Sequence, residues 1–188
     1  MNSTRTEQDA LQIIRDLLAR HAPVDASESR SLERIRQLIG TAYRPFARDH
    51  FVPGHLTASA IVVDARRQGT LLIFHEKLHR WLQPGGHFEP GETDPGIAAA
   101  REVLEETRTA TSWPGPAPVL LDVDVHAIPA RKSEPAHDHF DLRMLLIAAR
   151  DSAQAGDGVT LARWVGRNEW EAMDLDPGLQ RALRKVSL

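Results

Sequence analysis

Hydrophobic residues recur at helical spacing over the first forty positions. Leu11, Ile14 and Leu18 mark one face, and Leu32, Ile35 and Ile39 mark a second stripe after a break at His21-Ala22-Pro23. Thr4 with Glu7 has the spacing of a capping box, Asp25 with Glu28 starts the second helix, and Gly40 is its expected stop. An irregular connector carrying Tyr43, Phe46 and Phe51 follows, and the period then changes to that of strands. Residues 56–64 and 70–75 are apolar and β-branched around a polar turn, which predicts a hairpin; residues 78–83 predict a short strand. Residues 97–107 are rich in Ala, Leu, Glu and Arg and predict a helix, with Asp94 as N-cap and Pro95 at the first helical position. Beyond a proline-rich link at 113–118, apolar and polar residues alternate over 119–128 and 139–149, which predicts two more strands. Paired as a hairpin, they place His126 opposite His139, Asp124 opposite Asp141 and Asp122 opposite Arg143. One sheet face then carries His, Asp and Arg, like a site wall, although a facing Asp pair counts against the register. Residues 151–158 read as a mobile loop and 163–165 as a short strand. Asn168 reads as the cap of a helix through Met173, and 179–186 as a last amphipathic helix.

The chemistry concentrates in the loop and helix between Gly85 and Arg108. Glu102, Glu105 and Glu106 are spaced i, i+3, i+4, so they fall in one sector of the helix and repel one another unless a cation sits among them. Arg101 can brace Glu105 but cannot neutralise three acids. Hard oxygen donors of this kind suit Mg²⁺ or Mn²⁺, and the Gly86 carbonyl, delivered by the preceding strand, is a further candidate ligand. The bland alternative is a solvated acidic helix after an ordinary turn. His137 and His139 alternate on one strand face and invite a second metal reading, with His126 as a candidate third ligand; hydrogen-bonded or exposed histidines are the commoner outcome.

Taken together, Gly86, Glu92 and the run Arg101-Glu102-Val103-Leu104-Glu105-Glu106 resemble the Nudix box, G-x5-E-x7-R-E-U-x-E-E-x-G-U, where U is aliphatic. Two departures stand out. Eight residues separate Glu92 from Arg101 in place of seven, and Arg108 stands where the final glycine belongs. The resemblance implies an α/β fold of the α+β type, with a mixed sheet sandwiched between helices. Residues 51–188 would form the Nudix domain, and residues 1–50 a helical extension packing on it or mediating a homodimer. It further implies metal-dependent hydrolysis of a diphosphate linkage in a nucleoside diphosphate joined to another group. Glu102 and Glu106 would be the principal metal ligands and Glu105 a further ligand or the base. Arg101 would orient Glu105, and Glu92 would act behind them. In some relatives the base lies on a late loop, where Glu134, Asp151 and Asp157 are the acids of this chain. The alternative is a catalytically silent module that senses a nucleotide or binds a protein. An isopentenyl diphosphate isomerase on the same fold would need a catalytic cysteine.

Composition narrows this picture. The chain has 188 residues and no cysteine, which removes disulfides, thiol nucleophiles and zinc–thiolate sites. A net charge of −3 gives no general nucleic-acid or acidic-membrane surface. No apolar run reaches spanning length and no signal-peptide core opens the chain, so a cytoplasmic protein is expected. Trp81, Phe88, Trp113, Phe140 and Trp164 are candidates for stacking on a base.

Overall fold

The computed structural model describes residues 7–131, 134–149 and 152–186. Helices α1 (Glu7–Arg20) and α2 (Ala26–Thr41) come first, and Asp25 caps α2 by accepting the Glu28 N–H at 2.7 Å. The Thr4–Glu7 cap lies outside the described residues. Gly40 does not stop α2. The helix closes beyond it, with the Ala42 N–H on the Leu38 carbonyl, and the chain leaves in extended conformation, so no left-handed residue is needed.

The sheet contains β1 (Gly54–Val63), β2 (Thr70–His75), β3 (Arg80–Leu82), β4 (Gly85–His87), β5 (Thr111–Ser112), β6 (Val119–Ile128), β7 (His137–Ala148) and β8 (Leu161–Val165). Helix α3 (Pro95–Thr107) follows β4, and α4 (Arg167–Trp170) and α5 (Pro177–Arg184) close the chain. The sheet is mixed: β1 runs parallel to β7 and antiparallel to β4, while β6 and β5 pair antiparallel with β7. The expected β1–β2 hairpin survives only at its turn, as the pair Val63–Thr70. Beyond that pair β2 joins β3 and β8. Strand β1 is buried at every position, so it takes the central place, with backbone partners on both sides. The cap of α4 is Gly166, whose N–H donates to the Glu169 carboxylate at 3.0 Å; Asn168 lies inside the helix.

Two apolar layers enclose the sheet. On one face Leu56, Ala58, Phe140, Leu142 and Met144 pack with Ala98, Ala99 and Val103 of α3, and with the Leu and Ile stripes of α1 and α2. On the other, Ile61, Val63, Leu72 and Val165 pack with Trp170, Leu179 and Leu183. No helix among the described residues is long and apolar enough to cross a membrane.

The β6–β7 register matches the alternation, with His126 opposite His139, Asp124 opposite Asp141 and Asp122 opposite Arg143. Arg143 explains how the two aspartates tolerate each other. Its guanidinium lies 3.3 Å from Asp124, 3.2 Å from Asp141 and 3.2 Å from Asp122. At this end the expected site wall is internal. Asp122, Asp141 and Arg143 are buried, and Arg181 and Lys185 approach Asp122 at 2.9 and 2.8 Å. Lys185 also pairs with Glu28, which is fully buried and lies 2.7 Å from His21. The network therefore ties the N-terminal helices to the C-terminal end of the chain.

Candidate active site

Helix α3 opens as its sequence dictates: Asp94 accepts the N–H groups of Gly96 and Ile97 at 2.9 and 3.3 Å, and Pro95 is its first residue. It ends at Thr107. Arg108 itself takes the left-handed conformation, with φ 56°, that a glycine would adopt freely. The loop after β7 holds it there. N–H groups of Gln154, Gly156 and Asp157 donate to the carbonyls of Thr107, Glu106 and Glu105 at 3.0, 2.7 and 3.1 Å, and Asp157 pairs with Arg108 at 3.0 Å. The segment expected as a mobile loop thus caps the helix that carries the acids.

With both ends fixed, Glu102 and Glu106 face β4 at Gly86 and Gly85, while Glu105 stands at the more open edge beside Arg101. Arg101 is the hub. It donates to both oxygens of Glu92 at 3.2 and 2.9 Å, to Glu102 at 3.0 Å, to Glu105 at 2.9 Å and to the His87 carbonyl at 2.8 Å. The hydrogen bonds to Glu92, ahead of those to Glu102, push the Arg101 pKa up. The extra loop residue therefore does not carry Glu92 away; it is the two-pronged partner of the arginine. Glu106 accepts the Gly85 N–H at 3.0 Å and has no ion-pair partner among the described residues. Burial, and then the charges of Glu102 and Glu105, push its carboxyl up to about 8. Burial also raises Glu102, against the pull of Arg101. At Gly86 a Cβ would lie 2.5 Å from Glu102 Oε1, so any other residue there would push the Glu102 carboxylate aside. Oxygen donors, like charges and a backbone pressed against them fit a hard divalent cation.

A cleft of about 990 Å³ borders this arrangement. Phe46, Phe51, Phe88, Arg44 and Arg48 line it, together with His87, Glu92 and Glu134. Past His87, His55 and His139 lie with their ring centroids 5.1 and 5.0 Å away. Burial first, and then neighbouring imidazoles, hold His55, His87 and His139 below the ordinary histidine range, with His87 at about 4. At His126 burial is the largest influence and opposes the charge, but the hydrogen bond with Asp124 and the charges of Asp141 and Asp124 together outweigh it and raise the pKa.

The family model described as NUDIX domain matches residues 53–186. The chain belongs to the NUDIX domain family. Its enzyme class is accordingly that of the Nudix pyrophosphohydrolases. Solved structures agree on the fold. A NUDIX-family hydrolase from Clostridium perfringens superposes with a TM-score of 0.54 at 22% identity, over 70% of this chain and 95% of that one. A MutT NUDIX hydrolase from Burkholderia pseudomallei gives 0.54 at 21% identity, over 70% and 97%. The NUDIX domain of Shewanella oneidensis NrtR, complexed with ADP-ribose, gives 0.52 at 15% identity, over 80% and 94%.

Within this Nudix fold Glu92, Glu102 and Glu105 converge on Arg101 and Glu106 lies on the Gly85 N–H, whereas Glu134 and Asp157 pair elsewhere. Glu134 lines the cleft and pairs with Arg48 at 3.2 Å; Asp157 is taken up by Arg108; Asp151 lies outside the described residues. Of the aromatic candidates only Phe88 lines the cleft. Phe140 is buried in the core, Trp81 packs on Phe74 and Trp113 lies against Gly96. Phe46 and Phe51 replace them. Their connector has no periodicity to single them out, although its density of aromatic residues is a signal.

Proposed function

We propose that this Nudix chain hydrolyses the diphosphate linkage of a nucleoside diphosphate joined to another group, with Mg²⁺ or Mn²⁺ at the box acids. One observation carries the reading: Glu102 lies against the Gly86 backbone, Glu106 accepts the Gly85 N–H, Arg101 reaches Glu102 and Glu105, and Glu106 has no ion-pair partner among the described residues. Glu102, Glu106, Glu105 and the Gly86 carbonyl would hold the ion, which would neutralise phosphate charge and lower the pKa of the attacking water. Glu105 is the more open carboxylate, 46% exposed against 15% for Glu102, and takes the water's proton while Arg101 holds it in place. Glu134, at the cleft, is the alternative base. Phe46, Phe51 and Phe88 offer the cleft's apolar surface to the nucleoside, and Arg44 and Arg48 offer charge to its phosphates. Intact acids and arginine leave the catalytically silent module the weaker reading. Residues 51–188 form the working domain in this proposal, with residues 1–50 as its helical extension in a cytoplasmic protein.

Turnover across a panel of nucleoside diphosphate derivatives tests the proposal. ADP-ribose is included because the Shewanella domain is complexed with it. Hydrolysis is expected only when Mg²⁺ or Mn²⁺ is restored to chelator-treated protein; equal turnover without metal contradicts the proposal. Glu92→Gln is expected to lower kcat about 10- to 100-fold, as loss of a group that positions others does, with the structure of α3 unchanged by circular dichroism. Gly86→Ala must displace Glu102, so Mn²⁺ affinity measured by titration is expected to fall by about tenfold or more.

A further inference from the structure

Three histidines outside the box meet on one face of the sheet. His55 on β1 lies in register with His139 on the parallel strand β7, and His137 stands two residues earlier on the same face. Ring centroids are 4.9 Å apart for His55 and His139, 5.0 Å for His55 and His137, and 5.2 Å for His137 and His139. One ligating nitrogen from each lies within 4.8 Å of the others. Two of the rings are oriented from behind. His55 Nδ1 lies 3.2 Å from the His50 carbonyl, and His137 Nδ1 lies 2.8 Å from the Pro135 carbonyl. A carbonyl only accepts, so each Nδ1 carries the hydrogen and each Nε2 keeps its lone pair. His55 is 1% exposed, and its Nε2 is buried with no hydrogen-bond partner. A buried polar atom left unpaired is costly, and a backbone carbonyl behind the other ring nitrogen is how metal-bound histidines are held.

We propose that His55, His137 and His139 bind a divalent transition metal ion, Zn²⁺ foremost, through three imidazole nitrogens. Imidazole favours Zn²⁺ and its neighbours in the first transition row over Mg²⁺, which selects oxygen. Zn–N bonds of about 2.0–2.1 Å place tetrahedral donors about 3.4 Å apart, so the rings close in by small side-chain rotations. Three protein donors leave a coordination position for water or a ligand oxygen. His87 links this site to the cleft, since it lines the cleft and lies against both His55 and His139, while its carbonyl accepts from Arg101. The two sites thus share a loop but no donor. His126, the third ligand suggested by the strand alternation, is instead turned to Asp124, with Nδ1 3.2 Å from its carboxylate.

The test uses the untagged full chain, equilibrated with Zn²⁺ and passed through a desalting column before metal analysis. Wild type and Glu106→Gln are expected to retain about one Zn²⁺ per chain, and the double variant His137→Gln/His139→Gln to retain at least tenfold less. No retained Zn²⁺ in the wild type, or retention lost in Glu106→Gln but kept in the histidine double variant, overturns the proposal. X-ray absorption on the Zn²⁺-loaded wild type keeps the test decisive if the double variant does not fold. Scattering from several imidazoles is the expected result, and an oxygen-only shell overturns the site. Because Glu106→Gln is one of the arms, failure here is distinguishable from failure of the box as a metal site.

Discussion

Glu106→Gln is expected to cut turnover by about two to three orders of magnitude while raising the stability of the metal-free protein. Both effects come from one carboxylate. It is largely withdrawn from water, accepts one hydrogen bond, from Gly85, and stands beside Glu102 and Glu105. Without a cation this carboxyl is a burden on the fold, because burial and the neighbouring acids hold it above the ordinary carboxylate range and it must take up a proton near neutral pH. Glutamine keeps the shape and the Gly85 hydrogen bond and removes the charge, so a gain of about 1 kcal/mol is expected, in the range typical of stabilising substitutions. With a cation the same charge is what the site needs. Its loss removes several kcal/mol of electrostatic stabilisation, at about 1.4 kcal/mol per factor of ten. Melting curves with and without Mn²⁺ read both effects. The variant should melt higher than wild type without metal and gain less when metal is added. A variant that is less stable without metal and still fully active would separate Glu106 from the metal.

Asp122→Ala carries the largest expected stability loss. Asp122 is fully buried, and Arg143, Arg181 and Lys185 converge on it. Removing the acid leaves buried cations short of their counter-charge, which costs about 3–5 kcal/mol; urea denaturation measures it. Burial works against ionisation at Asp122 and Asp124. The Arg181 hydrogen bond at the first and the His126 hydrogen bond at the second, with the charge of Arg143, nevertheless hold both carboxyls below their ordinary range. A depressed carboxylate contributes stability above its unfolded pKa and loses it as pH falls through the folded value. Wild-type stability is therefore expected to fall as pH drops below about 4, and Asp122→Ala should show a shallower acid limb. An unchanged acid limb would assign the acid sensitivity to other carboxylates.

The local parts of this molecule were legible in its sequence. Asp94-Pro95 fixed the start of α3, so the spacing of its three glutamates could be trusted across the extra loop residue. Alternation placed β6 and β7 in register, because period two leaves only one face for the apolar residues. What escaped is set by distant pieces of chain. His55 joins His137 and His139 through parallel pairing of β1 with β7, and parallel strands have no turn to announce their register. Arg181 and Lys185 reach Asp122 from the far end of the chain, where a sequence reading sees only basic residues at the end of a helix. The cap that lets Arg108 replace glycine comes from residues 154–157, whose backbone N–H groups reach α3 only because Gly156 has no Cβ to strike the Glu105 carbonyl, a close approach between distant segments that leaves no periodic signal.

The proposed reaction is cleavage between two phosphorus atoms by water at the box. The most direct measurement follows the panel substrates in ¹⁸O-labelled water with Mg²⁺ and weighs the products by mass spectrometry. A nucleotide and a phosphorylated second product are expected, with one ¹⁸O atom in the phosphate of one of them. Substrates recovered intact across the whole panel, or products whose phosphates carry no ¹⁸O, would contradict it.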